Sequence, residues 1–294
     1  MSTSTNQEGT DPQRWLTYVS PTLGRRSPLY AHLYQQMQQD AELFTLLSLV
    51  DPDQPVPVLF FSVVNFLVLG ETDHPFAQWY PYVTDTPRRP EEAYPLFRDF
   101  CLTHQGDLRE LLSSSRLQTN EVRRCANLLP AFELVFQRGN RQPLALIEIG
   151  ASAGLNLNWF RYGYRYGEYV VGNLHASVQI SCQISGQALP SLPRILPQVA
   201  QCQGIELFPL DVTNEYDVRW LRSCIWPEER ERYDLLDAAL ALARQYPPQI
   251  LRGDACEFLP EILPTIPLDQ TLCIWHSFAL NQGPTAVRKQ IYQT

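Results

Sequence analysis

The residues best suited to bind a ligand lie in a run of small side chains over residues 148–154. The run reads E-I-G-A-S-A-G and begins at the end of the apolar segment 144–149. A short apolar segment between turn signals predicts a buried parallel strand. Small residues then let the backbone turn sharply into a helix whose first amides face a ligand. Because tight packing also selects small residues, the run alone leaves a binding and a structural interpretation equally open.

Two carboxylates stand at the ends of later predicted strands. Glu206 lies in the strand predicted over 204–208, where a carboxylate can accept hydrogen bonds from both ribose hydroxyls of a nucleoside. Asp254 follows the strand predicted over 249–252 and can accept a hydrogen bond from an adenine amino group. A fourth strand is predicted over 271–278. Since ligands of open α/β sheets bind at the carboxyl ends of the strands, these segments together predict one nucleoside pocket.

The order of these segments is similar to that in class I S-adenosylmethionine-dependent methyltransferases. More closely, the chain resembles the bacterial family known as domain of unknown function 2332, over residues 28–281. Four motifs carry this resemblance: T-N-E-V at 119–122, E-I-G-A-S-A-G-L-N-L at 148–157, W-P-E at 226–228 and W-H-S at 275–277. That family is regarded as methyltransferase-like but has no assigned substrate or reaction. The resemblance therefore implies a fold and a cofactor class, and no substrate.

S-adenosylmethionine is the cofactor that the resemblance implies, and each part of it would have its own residues. The methionine and ribose side would be lined by Glu148, Gly150, Ser152 and Gly154. Glu206 would hold the ribose, and Asp254 with Ala255 would hold the adenine. NAD is disfavoured, because the turn lacks the G-x-G-x-x-G spacing of dinucleotide-binding proteins.

Two features depart from the methyltransferase pattern. Roughly fifty residues separate the first two predicted strands, about twice the usual unit length. This spacing predicts an insertion at about 162–202, with a β-hairpin over 169–184, that covers the pocket. The chain also stops soon after its fourth predicted strand, whereas a methyltransferase sheet has seven. A truncated sheet, with its edge strand at 272–275 covered by a second copy or another partner, is therefore expected.

His276 is the candidate catalytic residue. It closes the fourth predicted strand, beside the place expected for a methyl acceptor. An imidazole there can act as a general base or orient the acceptor, and a packed, hydrogen-bonded histidine is the structural alternative. Methyl transfer from a sulfonium can also proceed by proximity and alignment alone, so the reaction does not require a base.

A serine hydrolase is a rival interpretation of the same residues. Ser152 lies in a G-x-S-x-G run, and Asp254 and His276 follow it in the chain order of a hydrolase triad. Glu206 has no role in that chemistry, so the cofactor interpretation explains more of the sequence.

Composition bounds the remaining possibilities. The chain has 294 residues, of which 45% are hydrophobic and 18% charged, and a net charge of −8. The acidic balance disfavours nucleic acid, and the longest apolar run, 56–69, is too short to span a membrane. Seven cysteines without C-x-x-C pairs and five dispersed histidines predict no metal site. We therefore expect a cytoplasmic protein that acts on a small molecule.

The first half of the chain is predicted to be helical. After a polar start over 1–13, helices are predicted over 27–47, 58–69, 91–113 and 119–137. The fold class is thus α/β, with an all-helical N-terminal region over 1–142 and a Rossmann-like, methyltransferase-type domain over 143–294. The function expected is methylation of an unidentified small molecule. The alternative is a non-catalytic S-adenosylmethionine or nucleotide-binding protein, or a degenerate paralogue acting through a partner.

Overall fold

The computed structural model of the chain describes residues 25–186, 190–282 and 285–293. The start predicted over 1–13 lies outside these residues. The chain forms two compact units. The first contains the described residues of Met1–Thr119 together with Arg219–Tyr233, and the second contains those of Asn120–Val218 and Asp234–Thr294. The predicted division at residue 142 stays a prediction; residues 120–142 belong to the second compact unit.

Helices build the first unit, as the sequence predicts, and no strand precedes Leu144 in the described part of the chain. The helices that lie wholly in it are α1 Pro28–Met37, α2 Ala41–Phe44, α3 Val56–Gly70, α4 Tyr94–Thr103 and α5 Gln105–Ser114. Ser27 caps α1 as expected, because its hydroxyl accepts the Tyr30 N–H at 3.2 Å. The continuous helix predicted to residue 47 is wrong, since the Asp40 carboxylate accepts the N–H groups of Glu42 and Leu43 and starts a new helix.

Two other predicted helices also have different bounds. The helix predicted over 91–113 is divided at His104, which ends α4 and precedes α5. The helix predicted from residue 119 begins at Arg124 instead, because the Asn120 side chain is used as an acceptor for the Leu155 N–H. It is α6, Arg124–Arg138, and it belongs to the second unit.

The core of the first unit is aromatic. Tyr30 of α1 stacks on Phe61 of α3 with ring centroids 4.4 Å apart. The side chain of Asn65, in the same helix, donates to the carbonyl oxygens of Ser223 and Ile225 at 3.0 and 3.2 Å. Asn65 is fully buried, so these two bonds both satisfy a buried amide and fix the segment 219–233.

The strands of the second unit form two sheets among the described residues. They are β1 Leu144–Ile149, β2 Gly163–Tyr166, β3 Tyr169–Gly172, β4 Gln179–Cys182, β5 Val199–Glu206, β6 Gln249–Arg252 and β7 Thr271–His276. The larger sheet has the order β6-β5-β1-β7, with every neighbouring pair parallel. The helices that follow β5 are α7 Glu215–Ser223, α8 Arg230–Gln245, α9 Ala255–Ile262, α10 Ala279–Gln282 and α11 Thr285–Gln293. The predicted α/β class with a parallel sheet is confirmed.

The smaller sheet lies in the insertion between β1 and β5. The hairpin pairs β2 with β3, and β4 adds parallel to β2, so the hairpin predicted over 169–184 is misplaced. Gly167 explains the difference, because its φ of +61° suits the first position of a two-residue hairpin turn between β2 and β3. The Tyr166 hydroxyl donates to the carbonyl of Ala126 at 2.5 Å and ties this sheet to α6.

Alternate residues of β1 point to the two faces of the larger sheet. Glu148 is the register partner of Trp275, whose ring meets Phe132 of α6 at 5.5 Å, so this face is covered by α6. Ile149 points to the other face, where the buried apolar cluster contains Ile147, Ile149, Ile205, Ala255, Leu259 and Leu280. The last two side chains of β1 therefore lie on different faces of the sheet: Glu148 lies on the face covered by α6, and Ile149 lies in the apolar cluster.

Candidate functional site

The loop after β1 is held in a left-handed backbone at three positions. The φ angles are +74° at Gly150, +55° at Ser152 and +71° at Gly154. The Gly150 N–H donates to the carbonyl of Ile205 at 2.8 Å, which ties the loop to the end of β5. The predicted sharp turn at the carboxyl edge of the sheet is therefore present.

The segment that follows this loop is a 3₁₀ helix, Leu155–Arg161, so a helix is present as predicted but is a short one of the 3₁₀ type. The tyrosines of the insertion take the carbonyl groups that an α-helix would use. The Tyr162 hydroxyl donates to the carbonyl of Leu155 at 2.5 Å, and the Tyr164 hydroxyl donates to that of Trp159 at 2.6 Å. The loop accordingly does not present the N-terminus of a long helix to a ligand.

Most of the loop amides already have acceptors. Gly154 N–H donates to the carbonyl of Ala151 at 2.8 Å, and Leu155 N–H donates to the Asn120 side chain at the same distance. Ser152 N–H donates to Glu206 Oε2, also at 2.8 Å. A pyrophosphate needs a cradle of available amides, so this loop suits a ligand without phosphate at this position better than a dinucleotide.

Gly150 lies so close to Ala279 of α10 that a side chain at position 150 should destabilise the fold. A Cβ at Gly150 would overlap the Cβ of Ala279, and an alanine would also be strained at φ +74°. We expect Gly150→Ala to lower the free energy of unfolding by about 2–4 kcal/mol, combining overpacking with left-handed strain. Gly167→Ala is the control, because φ is +61° there but a Cβ would meet nothing within 4 Å. Urea unfolding of both variants checks this, and equal losses would contradict the close approach.

Glu206 is joined to the loop from the end of β5. Its two carboxylate oxygens accept the N–H groups of Ser152 and Phe208 at 2.8 and 3.1 Å. The side chain is part exposed, and the next residue, Leu207, is 54% exposed. Each carboxylate oxygen retains a second lone pair, so the group can hold the loop and still accept from a ligand hydroxyl.

Glu148 lies below the loop with only 1% of its surface exposed. Burial raises the pKa of its carboxyl well above the ordinary value, while a hydrogen bond from Asn156 and the charge of Arg124 act in the opposite direction. Its Oε2 atom has no hydrogen-bond partner among the described residues. A buried carboxyl oxygen without a partner costs stability, so its presence calls for an explanation.

Asp254 and Ala255 stand after β6, in different surroundings. The Asp254 carboxylate caps α9 by accepting the Cys256 N–H at 2.8 Å. Ala255 is 6% exposed and packs in the apolar cluster with Ile149 and Ile205. Asp254 can therefore accept a hydrogen bond from a ligand only through the lone pairs that the cap leaves. The methyl group of Ala255 belongs to the core.

His276 ends β7 as the register partner of Ile149, on the face opposite Glu148. Burial lowers the pKa of its imidazole, which favours the neutral form. Within the described part of the chain neither His276 Nδ1 nor Ser152 Oγ has a hydrogen-bond partner. The Ser–His and His–Asp bonds of a hydrolase triad are therefore not formed.

Arg124, Asn156 and Phe278 also lie at this edge, and none of them was proposed as a site residue from the sequence. The contacts of Arg124 and Asn156 are as follows. Arg124 Nη1 donates to both the carbonyl and the hydroxyl oxygen of Ser277 at 2.9 Å. Asn156 is 1% exposed and hydrogen-bonds the Glu148 carboxyl. Asn156 and Ser277 lie within the quoted motifs, whereas Arg124 carries no sequence signal because its contact spans 153 residues.

The chain matches, over residues 21–294, the family described as "Uncharacterized protein conserved in bacteria (DUF2332)". It belongs to this family. The resemblance expected from the four motifs is thus confirmed for DUF2332 itself. No curated protein and no solved structure matches this DUF2332 chain. The family description names no reaction, so the chemistry of this DUF2332 member has to be inferred from its own residues.

Among the described residues of this DUF2332 chain, no helix is long and apolar enough to cross a membrane. They also contain no group of three or more His, Cys, Asp or Glu side chains arranged to hold a metal ion.

Proposed function

We propose that the carboxyl edge of the larger sheet binds S-adenosylmethionine and that the chain methylates a small molecule. One observation carries this proposal: the Glu206 carboxylate, at the end of β5, is held against the left-handed loop of β1 through the Ser152 N–H. Counted along the chain, the strands of this sheet lie in the order third, second, first, fourth, which matches the first four strands of the doubly wound order 3-2-1-4-5-6. Ligands of such sheets bind where the strand order reverses, which here is the edge between β1 and β7.

The polar groups at this edge fit the parts of S-adenosylmethionine. Glu206 has lone pairs for the ribose hydroxyls, and exposed Leu207 offers an apolar surface beside them for the adenine ring. Glu148 Oε2 and Ser152 Oγ, both without partners among the described residues, suit the ammonium and carboxylate of the methionine part. Both atoms are closed off from solvent, so binding to them would require the loop to move from the position that the Gly150 and Ser152 hydrogen bonds give it.

S-adenosylmethionine would supply a sulfonium methyl group for transfer to an acceptor lone pair, with the carbon–sulfur electron pair left on sulfur, and the acceptor proton would need a base. His276 is the base that this chain offers. Its lowered pKa keeps the imidazole neutral and able to accept that proton. Alignment of the acceptor supplies the rest of the rate enhancement.

A thermal unfolding series tests whether the edge recognises this ligand. We expect S-adenosylmethionine and S-adenosylhomocysteine, at about 100 times their Kd, to raise Tm by roughly 4–5 °C. At the same ligand concentration, adenosine should give a smaller rise through Glu206 and Leu207, and methionine alone the least. Equal shifts with NAD and ATP, or none with any adenosine compound, would contradict the proposal.

A serine hydrolase has one observation in its favour, the φ of +55° at Ser152 within G-x-S-x-G. The absence of partners for Ser152 Oγ and His276 Nδ1 among the described residues, and the cap made by Asp254, count against it. A fluorophosphonate probe decides between the two. Labelling of the wild type that Ser152→Ala removes would favour the hydrolase.

A further inference from the structure

Phe278, two residues after the end of β7, combines two unfavourable features. Its backbone φ is +70°, a left-handed conformation in which a bulky side chain is strained. Its side chain is also 61% exposed, so burial does not offset the strain. Asn140, Arg141 and Ser152 are the other non-glycine residues with positive φ in the described part of the chain, and all three are polar. An apolar residue in this position has no evident benefit to the fold.

The neighbours of Phe278 hold it in place. Arg124 Nη1 fixes the preceding residue through its two bonds to Ser277, and the guanidinium carbon lies 4.8 Å from the centroid of the Phe278 ring. The Asn281 N–H donates to the Phe278 carbonyl at 2.9 Å. These contacts fix the backbone on both sides of the residue and cover part of the ring with a planar cation. The rest of the ring faces outward.

The position of this ring connects it to the candidate site. Phe278 follows the end of β7 by two residues, and β7 pairs with β1 at the point where the strand order reverses. His276, with its unpartnered Nδ1 among the described residues, lies two positions before it. Strained residues that the surrounding structure holds in place are concentrated at ligand sites.

We propose that Phe278 forms the stacking surface of the acceptor subsite, and that the acceptor is a planar aromatic molecule bearing a nitrogen or oxygen nucleophile. Offset stacking of the acceptor ring on Phe278 would orient the nucleophile toward the edge between β1 and β7. The inference rests on the proposed function in one respect, since it takes the aromatic ligand to be the methyl acceptor. The stacking itself requires only the exposed ring.

Ligand-observed NMR with indole and octahydro-1-benzofuran tests the stacking surface, because both probes are neutral bicyclic molecules of the same ring size and differ mainly in planarity and aromaticity. We expect the wild type to bind indole roughly 3- to 10-fold more tightly than octahydro-1-benzofuran, the range for an aromatic pair. Phe278→Leu, which keeps apolar bulk without a ring, should remove this preference. Tyr292→Ala is the control, because Tyr292 is also an exposed aromatic, 72% exposed, but lies on α11; it should keep the preference.

The titrations are run with and without saturating S-adenosylhomocysteine, so that the two proposals fail separately. A Phe278-dependent indole preference without any S-adenosylhomocysteine binding would keep the aromatic subsite and sink the methyltransferase. S-adenosylhomocysteine binding without an indole preference, or a preference that survives Phe278→Leu, would sink the subsite and keep the proposed function.

Phe278→Gly distinguishes a functional ring from a structural one. Glycine adopts φ +70° without strain, so we expect its Tm to equal or exceed that of the wild type while the indole preference is lost. A Tm lower by several degrees would show that the ring stabilises the fold, and would overturn the inference.

Discussion

Glu206→Ala should lower the affinity for S-adenosylhomocysteine at least roughly 100-fold, because two hydrogen bonds from ribose hydroxyls to a charged acceptor are lost at about 1.5 kcal/mol or more each. The substitution also releases the Ser152 and Phe208 N–H groups that the carboxylate now holds. Calorimetric titration measures the change. Glu206→Gln keeps one acceptor oxygen and the side-chain length, so we expect it to bind with intermediate affinity, roughly 10-fold below the wild type.

Glu261→Ala provides the matched control for this loss. Glu261 is an exposed glutamate of α9 in the same unit, so its removal makes an equal change in net charge. We expect its affinity to equal that of the wild type. If both alanine variants weaken binding to the same degree, general electrostatics would explain the effect and Glu206 would have no place in the pocket.

Glu148→Gln should raise the free energy of unfolding at pH 7–8 by about 1–3 kcal/mol, because the neutral amide does not carry the desolvation cost of a buried, incompletely hydrogen-bonded carboxylate. The pKa of Glu148 is higher in the folded than in the unfolded chain, because burial disfavours the carboxylate. Folding is therefore favoured by this group below its unfolded pKa, and that advantage declines as the pH rises through the folded pKa. The difference between variant and wild type should accordingly be small near pH 4 and grow towards pH 8, as urea unfolding at several pH values will measure.

Glu133→Gln separates this effect from the removal of any buried carboxylate. Glu133 is 6% exposed, but its Oε1 accepts the Gln137 side-chain N–H at 2.6 Å. We expect this variant to gain no stability. Glu148→Gln should at the same time weaken S-adenosylhomocysteine binding, since stability gained by removing a functional group is commonly offset by lost function. A stabilised variant with unchanged affinity would assign Glu148 a structural role.

The local sequence predicts the bounds of two strands of the larger sheet correctly. β1 and β6 have the predicted bounds, 144–149 and 249–252, because a short apolar run between turn residues has few alternatives. The second core strand begins at Val199, five residues before the predicted start, because the part before residue 204 contains Gln201 and Gln203 and pairing with β1 decides its length. Leu207 and Phe208 were predicted to be in the strand but lie beyond it and are exposed.

The candidate site could be predicted from the local sequence only in part. The glycine turn and the position of Glu206 follow from the order of strands along the chain. The bond between Glu206 and the Ser152 amide joins residues 54 apart, and the 3₁₀ helix depends on hydroxyl groups of the insertion. The strain at Phe278 is a property of the folded backbone, which no residue pattern records.

The most direct test of the central claim is a calorimetric titration of the wild-type chain with S-adenosylhomocysteine, beside NAD and ATP. The proposal predicts one site per chain for S-adenosylhomocysteine, with little heat from NAD or ATP, because the loop amides that a pyrophosphate would need are already bonded. A folded chain that binds none of them, or binds NAD or ATP as tightly as S-adenosylhomocysteine, would contradict it.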